Sequence, residues 1–176
     1  MRGRTHRVFV YGSLLPGMVN HDVAAPHLLS ARPGRVRGRL VDAGPYPALL
    51  WSPDPSRFPA GESGGGAVGE ADEESGGDRR KTGSGADGRT VVKGMWLTVT
   101  DAGLAAMDRL EEYFGVEEAN GYERVWVTDA GDPSVAGWAY VWTETRGFPV
   151  VDADWWPAWL AERNARSRQS GKNRDS

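Results

Sequence analysis

Residues Val8–Gly17, VFVYGSLLPG, carry the best strand pattern in this chain. The first four residues are β-branched or aromatic, the types that suit the buried, pleated surface of a β-strand. The pattern stops at Gly12-Ser13, and the chain turns at Pro16-Gly17. This corner is either a plain turn or a loop whose backbone N–H groups must come close to a bound group.

Further strands and helices are expected before and after a long polar segment. Strands are expected in RVRGRLVDAG and YPALLW before it, and in TVVKGMWLTVT, YERVWVTD and VAGWAYVWTE after it. Helices are expected in NHDVAAPHLLSA, interrupted at Pro26, in AGLAAMDRLEEY behind an N-cap at Thr100 or Asp101, and in DADWWPAWLAERN. Because strands outnumber helices and short turns join most of them, the sequence predicts an α+β fold with a mixed or antiparallel, strongly curved sheet.

The polar segment runs from Ser52 to Arg89. Gly, Ser, Asp and Glu dominate it, and it has almost no bulky apolar residue after Phe58. Such a composition buries too little apolar surface to offset the entropy of ordering, and lengthening a loop costs only about 0.6 kcal/mol per doubling. We therefore predict a single domain over residues 1–162, with 52–89 as a disordered insertion and 163–176 as a polar, basic and frayed tail.

Composition argues against several classes of function. The formal net charge of −3 gives no field that attracts nucleic acid or an acidic membrane surface. The chain has neither a long apolar run nor a signal-peptide pattern, so a cytoplasmic protein is expected. With no cysteine there is no thiolate nucleophile and no sulfur-ligated metal, and the three histidines lack the spacing of a metal site: His6, His21 and His27.

One carboxylate in the helix after Thr100 lies on the apolar face. At about 100° per residue, four apolar side chains form one arc of the helical wheel: Leu104, Met107, Leu110 and Phe114. Glu111 falls inside this arc, whereas its charged neighbours point toward the expected solvent side: Asp108, Arg109 and Glu112. Burial raises the pKa of a carboxyl group toward the range of a general base. The wheel leaves three readings of Glu111 open: a functional site, an ion pair with Arg124, or a frayed helix end.

Six motifs occur along the chain in a fixed order. VFVYGSLLPG with Asn20-His21 is followed by DAGPYPALL, VVKGMWLTV, AAMDRLEEY, GYERVWV and GWAYVW. This series resembles the gamma-glutamylcyclotransferase-like proteins, which include gamma-glutamylcyclotransferases and gamma-glutamylamine cyclotransferases. The resemblance covers most of the chain outside the insertion and the tail. It implies a small mixed β-barrel flanked by helices, with a cavity between the YGSL loop and the helix that carries the glutamate.

The resemblance also implies a reaction. A γ-glutamyl amine or γ-glutamyl amino acid is cyclised to 5-oxoproline and a free amine, without a metal or other cofactor, and Glu111 matches the general acid/base. The positions that match substrate-binding residues are Tyr11, Gly12, Ser13, Leu14, Tyr122 and Arg124. The sequence departs from the family pattern where Glu112, and not glycine, follows the glutamate, and where FGVEEANGYER lengthens the next connection.

Two classes of function follow from the sequence. One is a cyclotransferase with a small-molecule γ-glutamyl substrate. The other is a non-catalytic member of the same fold that binds a small metabolite or a protein, because a fold can persist when its chemistry has changed. The two differ in whether Glu111 lies in an open cavity beside Gly12-Ser13, or is covered by Phe114 or bound to Arg124.

Overall fold

The fold is that of a computed structural model, which describes residues 3–54 and 90–172. The predicted insertion falls outside the described residues from 55 to 89, as do residues 173–176 of the predicted tail. In chain order the described elements are β1 (Thr5–Val10), α1 (His21–Ala24), a 3-10 turn (Ala25–His27), β2 (Leu28–Arg37), β3 (Arg39–Asp42), β4 (Pro47–Leu50), β5 (Val91–Thr100), α2 (Asp101–Leu110), β6 (Glu123–Thr128), β7 (Ala136–Val141), β8 (Val150–Val151) and α3 (Trp156–Lys172).

Strand β1 lies at the centre of a five-stranded sheet with the order β2-β5-β1-β7-β6. It pairs antiparallel with β5, where Phe9 is opposite Trp96, and parallel with β7. A three-stranded sheet has the order β4-β3-β8, and a parallel bridge between Leu50 and Trp142 joins the two sheets. The predicted α+β class and mixed pairing are confirmed. The β-barrel that the resemblance implies is not closed, because β2 and β6 are the edge strands of the five-stranded sheet.

The predicted strand RVRGRLVDAG is two strands that belong to different sheets. The break falls at Gly38, whose φ of +147° lies in a region that side chains with a Cβ rarely adopt. Before it, β2 pairs with β5; after it, β3 pairs with β4 and β8. The glycine therefore lets the chain leave one sheet and enter the other.

Alternate side chains of β1 divide the core into two parts. Val8 belongs to the cluster that contains Met107 of α2. Phe9 packs against Trp96 with ring centroids 5.2 Å apart, in the cluster that contains the fully buried Trp156 of α3. The strand therefore holds α2 through one set of side chains and α3 through the other.

Helix α3 extends to Lys172, so it includes residues 163–172 of the predicted tail. Arg163 donates hydrogen bonds to Asp42 at 2.6 Å and to the carbonyl of Gly44 at 2.7 Å, and its guanidinium lies over the ring of Trp156. These contacts with β3 and the following turn anchor the polar helix. In the described part of the chain, no helix combines the length and apolar character needed to cross a membrane.

The close approach of β5 to β1 gives a test of this packing. A Cβ added at Gly94 would collide with the carbonyl oxygen of Val10 and meet the ring of Phe9. We expect Gly94→Ala to lower the free energy of unfolding by about 1–3 kcal/mol, because the backbone of β1 has to shift. Gly3→Ala is the control, since nothing lies within 4 Å of its added Cβ. Equal urea midpoints for the two variants would contradict this packing.

Candidate functional site

A cavity of about 230 Å³ opens between the loop that follows β1 and the end of α2. The loop supplies one wall, the start of β4 a second, and the β6–β7 side a third. Of the predicted site residues, the lining includes Tyr11, Gly12, Ser13, Leu14, Glu111 and Tyr122. Sequence reasoning did not assign seven further lining residues to the site: Phe9, Val10, Asn20, Tyr46, Pro47, Leu110 and Tyr140. Tyr46 and Pro47 stand in the DAGPYPALL motif, which was the available signal for them.

The loop at residues 12–14 presents backbone N–H groups next to the cavity. Carbonyl groups of this loop already accept hydrogen bonds. The N–H of Leu15 donates to the carbonyl of Gly12 at 3.0 Å. Asn20 N–H donates to the carbonyl of Ser13 at 2.9 Å, and its side-chain amide donates to the Ser13 hydroxyl at 3.1 Å. Among the described residues, no hydrogen-bond partner takes up the N–H groups of Gly12, Ser13 and Leu14. These three donors are therefore available to an oxygen atom in the cavity.

Position 12 has no room for a side chain, because Pro47 lies opposite it. A Cβ at this position would collide with the ring of Pro47, which lines the other side of the cavity. The corner in VFVYGSLLPG is thus a close approach between the loop and β4. It brings the loop N–H groups into the cavity wall.

Glu111 occupies the C-cap of α2 and is fixed at both backbone groups. Its N–H donates to the carbonyl of Met107 at 2.9 Å, and its carbonyl accepts from the N–H of Tyr122 at 3.1 Å. The side chain is partly buried at the cavity, and burial raises the pKa of its carboxyl group from 4.5 to about 7. The wheel assigned Phe114 to the same apolar arc, but α2 ends at Leu110 and Phe114 is 70% exposed. Phe114 therefore does not cover Glu111.

Three buried or partly buried tyrosines surround the Glu111 carboxyl group, and its negative charge contributes, after burial, to raising the pKa of each of them. All three hydroxyl groups donate elsewhere: Tyr11 to the carbonyl of Tyr140 at 2.7 Å, Tyr122 to the carbonyl of Pro47 at 2.8 Å, and Tyr140 to Asp108 at 2.6 Å. Within the described ranges, no side chain donates a hydrogen bond to the Glu111 carboxyl group. A carboxylate that is shielded from water and has no donor is a stronger base than one in solution.

Arg124 is absent from the cavity lining. It donates to Asp108 at 2.6 Å, and its guanidinium lies 4.7 Å from the ring centroid of Tyr113 and 4.9 Å from that of Trp138. The ion pair with Glu111 that the sequence left open is therefore not formed. The wheel also placed Asp108 toward solvent, and that prediction was wrong, because Asp108 is partly buried between Arg124 and Tyr140.

The described residues contain no cluster of three or more His, Asp or Glu side chains that suits a metal ion. The arrangement defines another class of site: a single carboxyl group of raised pKa, facing backbone N–H donors across a cavity with tyrosines in its wall.

Comparison with known proteins assigns this α+β protein to a family. Residues 8–63 and 83–158 match the family described as gamma-glutamyl cyclotransferase, AIG2-like, and the chain belongs to it. A curated relative, the gamma-L-glutamyl-butirosin B gamma-glutamyl cyclotransferase of Niallia circulans, is 27% identical over 152 residues, which cover 84% of this chain and 74% of the relative. Together they support gamma-glutamyl cyclotransferase activity in general terms.

Solved structures show the same fold. An AIG2-like protein from Mus musculus is similar with a TM-score of 0.51 and 21% identity, over 85% of this chain and 88% of that chain. A protein from Pyrococcus horikoshii is similar with a TM-score of 0.53 and 12% identity, over 91% of this chain and 97% of that chain.

The raised pKa of Glu111 predicts how stability depends on pH. Because the pKa is higher in the folded protein than in the unfolded chain, the favourable contribution of protonated Glu111 is fully present below about pH 4.5 and is lost as the pH rises through about 7. Glu111→Gln stays neutral. We expect it to unfold with a free energy about 2–3 kcal/mol higher than the wild type at about pH 8, with the difference vanishing near pH 4.

Urea denaturation across this pH range measures the difference. Glu112→Gln is the matched control, because it removes the adjacent exposed carboxylate. Parallel stability curves for Glu111→Gln and the wild type would contradict the raised pKa.

Proposed function

We propose that this protein is a gamma-glutamyl cyclotransferase that acts on a γ-glutamyl amine or γ-glutamyl amino acid and releases 5-oxoproline and a free amine. The observation that carries the proposal is the Glu111 carboxyl group, which has a pKa of about 7, lines the cavity beside the YGSL loop and has no ion-pair partner among the described residues. Membership of the gamma-glutamyl cyclotransferase, AIG2-like family supports it.

The proposed reaction is an intramolecular transfer. The α-amine of the glutamyl group attacks its own γ-carbonyl carbon, so that a new C–N bond closes a ring of five atoms. The original amide C–N bond breaks, and its electron pair leaves with the amine nitrogen. No atom is added or lost, so neither water nor a cofactor is consumed. The task of the protein is to hold the glutamyl chain in the folded-back conformation, and such positioning supplies a large part of the rate gain.

Glu111 moves the proton in this proposal. It accepts a proton from the α-amine as the ring closes, and it returns that proton to the leaving nitrogen. A carboxyl group with a pKa of about 7 serves both steps near neutral pH, because neither protonation state is strongly disfavoured. A positioned general acid/base of this kind contributes about 10²–10⁴-fold.

The loop binds the oxygen atoms of the glutamyl group in this proposal. The N–H groups of Gly12, Ser13 and Leu14 have no hydrogen-bond partner within the described part of the chain, and they suit either a carboxylate or the oxygen that gains charge as the γ-carbonyl is attacked. Among the residues that the structure describes, the lining contains no lysine or arginine. We therefore assign recognition of the negative oxygens to backbone donors, and we assign Tyr11 and Tyr122 to the wall around the glutamyl group.

The predicted role of Arg124 changes with its position. Because its guanidinium is held by Asp108 between two aromatic rings, we assign it to the support of the cavity wall and not to contact with the substrate. The leaving amine is assigned only by class. The curated relative is named for a γ-glutamylated butirosin, which fits the same class of γ-glutamyl amine.

Mass spectrometry for 5-oxoproline tests the activity. The purified protein is incubated with a panel of γ-glutamyl amino acids and γ-glutamyl amines. We expect the wild type to form 5-oxoproline and Glu111→Gln to lose at least about 10²-fold of kcat/KM, because the general acid/base is gone. Glu112→Gln should keep the wild-type rate. An active Glu111→Gln protein would exclude the role of Glu111, and a folded wild type that is inactive on the whole panel favours the non-catalytic alternative.

The dependence of turnover on pH is a separate prediction. The base has to be ionised, so kcat/KM should fall more steeply below a pKa of about 7 than above it, where only the ionisation of the substrate α-amine remains to shape the profile. An acid limb centred near 4.5 would show that the reacting carboxyl group is not desolvated.

A further inference from the structure

A chain of contacts leads from Arg124 to the cavity through side chains that do not react in the proposed mechanism. The guanidinium of Arg124 lies between the rings of Tyr113 and Trp138 and donates to one oxygen of Asp108 at 2.6 Å. The other oxygen of Asp108 accepts the hydroxyl proton of Tyr140, also at 2.6 Å. Tyr140 is 3% exposed and lines the cavity.

The Tyr140 hydroxyl group is bonded to the Asp108 carboxylate, and Tyr140 lines the same cavity as a second carboxylate, that of Glu111. Asp108 lies about one helical turn before Glu111, and residues at this spacing share a face of the helix. Burial raises the pKa of Tyr140 most, and the hydrogen bond to Asp108 and the charges of Asp108 and Glu111 raise it further. In the structure the Tyr140 hydroxyl group donates its hydrogen bond to Asp108, which the Arg124 guanidinium holds in place.

We propose that Asp108 is a positioning residue that accepts the hydrogen bond of the Tyr140 hydroxyl group and thereby keeps that hydroxyl turned away from Glu111, so that Tyr140 does not donate to the Glu111 carboxylate. The inference rests on the proposed function of Glu111 as the general acid/base. It gives the partly buried ion pair between Asp108 and Arg124 a role in setting the properties of Glu111, beyond stabilising the fold.

The consequence follows from the direction of the hydrogen bond. A donor that binds a carboxylate stabilises its charged form and lowers its pKa, whereas burial without a donor raises it. If the Tyr140 hydroxyl turned toward Glu111, the carboxylate would be a weaker base at neutral pH. Asp108 and Arg124 therefore keep Glu111 basic from behind the cavity wall.

Other groups near Glu111 differ from Tyr140 in this respect. The titratable or charged side chains that line the cavity with Glu111 or contact its lining include Tyr11, His21, Tyr46, Asp108, Tyr122, Tyr140 and Arg124. Tyr11 and Tyr122 donate to backbone carbonyls, which no substitution removes. Of Tyr11, Tyr122 and Tyr140, Tyr140 is the one whose hydroxyl acceptor is a side chain, so the direction of its hydroxyl depends on the residue at position 108.

The test is a direct titration of Glu111. Protein labelled with ¹³C at the glutamate carboxyl carbon is followed by NMR against pH, and the Glu111 signal is identified by its loss in Glu111→Gln. Removing Asp108 alone leaves the Arg124 charge unpaired, which lowers the pKa of Glu111 through charge and endangers the fold. The variant is therefore Asp108→Ala with Arg124→Met, made with and without Tyr140→Phe.

We expect the pKa of Glu111 to fall by about one unit in Asp108→Ala/Arg124→Met, because the released hydroxyl donates to the carboxylate. Adding Tyr140→Phe should bring the pKa back to about 7, the value in the wild type. A pKa that stays at the wild-type value in the double variant, or a fall that persists without the hydroxyl, would overturn the proposal.

Tyr140→Phe alone tests the proposal in an otherwise intact chain, should the double variant not fold. If the Tyr140 hydroxyl group donates to Asp108, removing that hydroxyl group leaves the Glu111 pKa within about 0.3 units of the wild type. If the hydroxyl donates to Glu111, its loss raises that pKa, which would contradict the proposal. Because the titration needs no substrate, an inactive wild type would reject the cyclotransferase function without touching this result.

Discussion

The hydroxyl group of Tyr11 connects the two sheets of this protein. It donates to the carbonyl of Tyr140 in β7 at 2.7 Å and accepts from the N–H of Leu49 in β4 at 2.9 Å. The side chain is 6% exposed, so each of these polar groups would be buried without a partner if the hydroxyl were absent. The same residue ends the central strand and begins the YGSL loop. The position of the loop relative to β4, and with it the width of the cavity, therefore depends on this one side chain.

Much of the fold could be predicted because it is encoded locally. The β-branched and aromatic run before Gly12 predicted the central strand, and the N-cap of α2 was predicted at Thr100 or Asp101. The structure selects Thr100, whose hydroxyl accepts from the N–H of Gly103 at 3.2 Å. The features that the sequence missed depend on distant partners. Strand β8 has two residues and exists because β3 lies beside it, and α3 continues into the polar tail because Arg163 reaches Asp42.

The candidate site also has one part that the sequence predicts and another part that depends on distant residues. The helical wheel placed Glu111 on the apolar face, although α2 ends one residue earlier. The side chain still points to the cavity in the structure, because the N–H of Tyr122 holds the Glu111 carbonyl. The wheel placed Asp108 toward solvent, but in the structure Asp108 contacts Arg124 of β6 and Tyr140 of β7. A wheel gives the direction of a side chain but not the distant residues that meet it there. The network from Arg124 to Tyr140 is therefore visible only in the folded chain.

The central claim is that the cavity between the YGSL loop and Glu111 receives a γ-glutamyl group in the conformation that cyclises. A crystal structure of Glu111→Gln with a bound γ-glutamyl amine tests it most directly, since this variant should bind the substrate without turning it over. The account predicts the α-amine within hydrogen-bond distance of residue 111 and a glutamyl oxygen on the N–H groups of residues 12–14. A ligand bound elsewhere, or one with its α-amine directed away from residue 111, would contradict it.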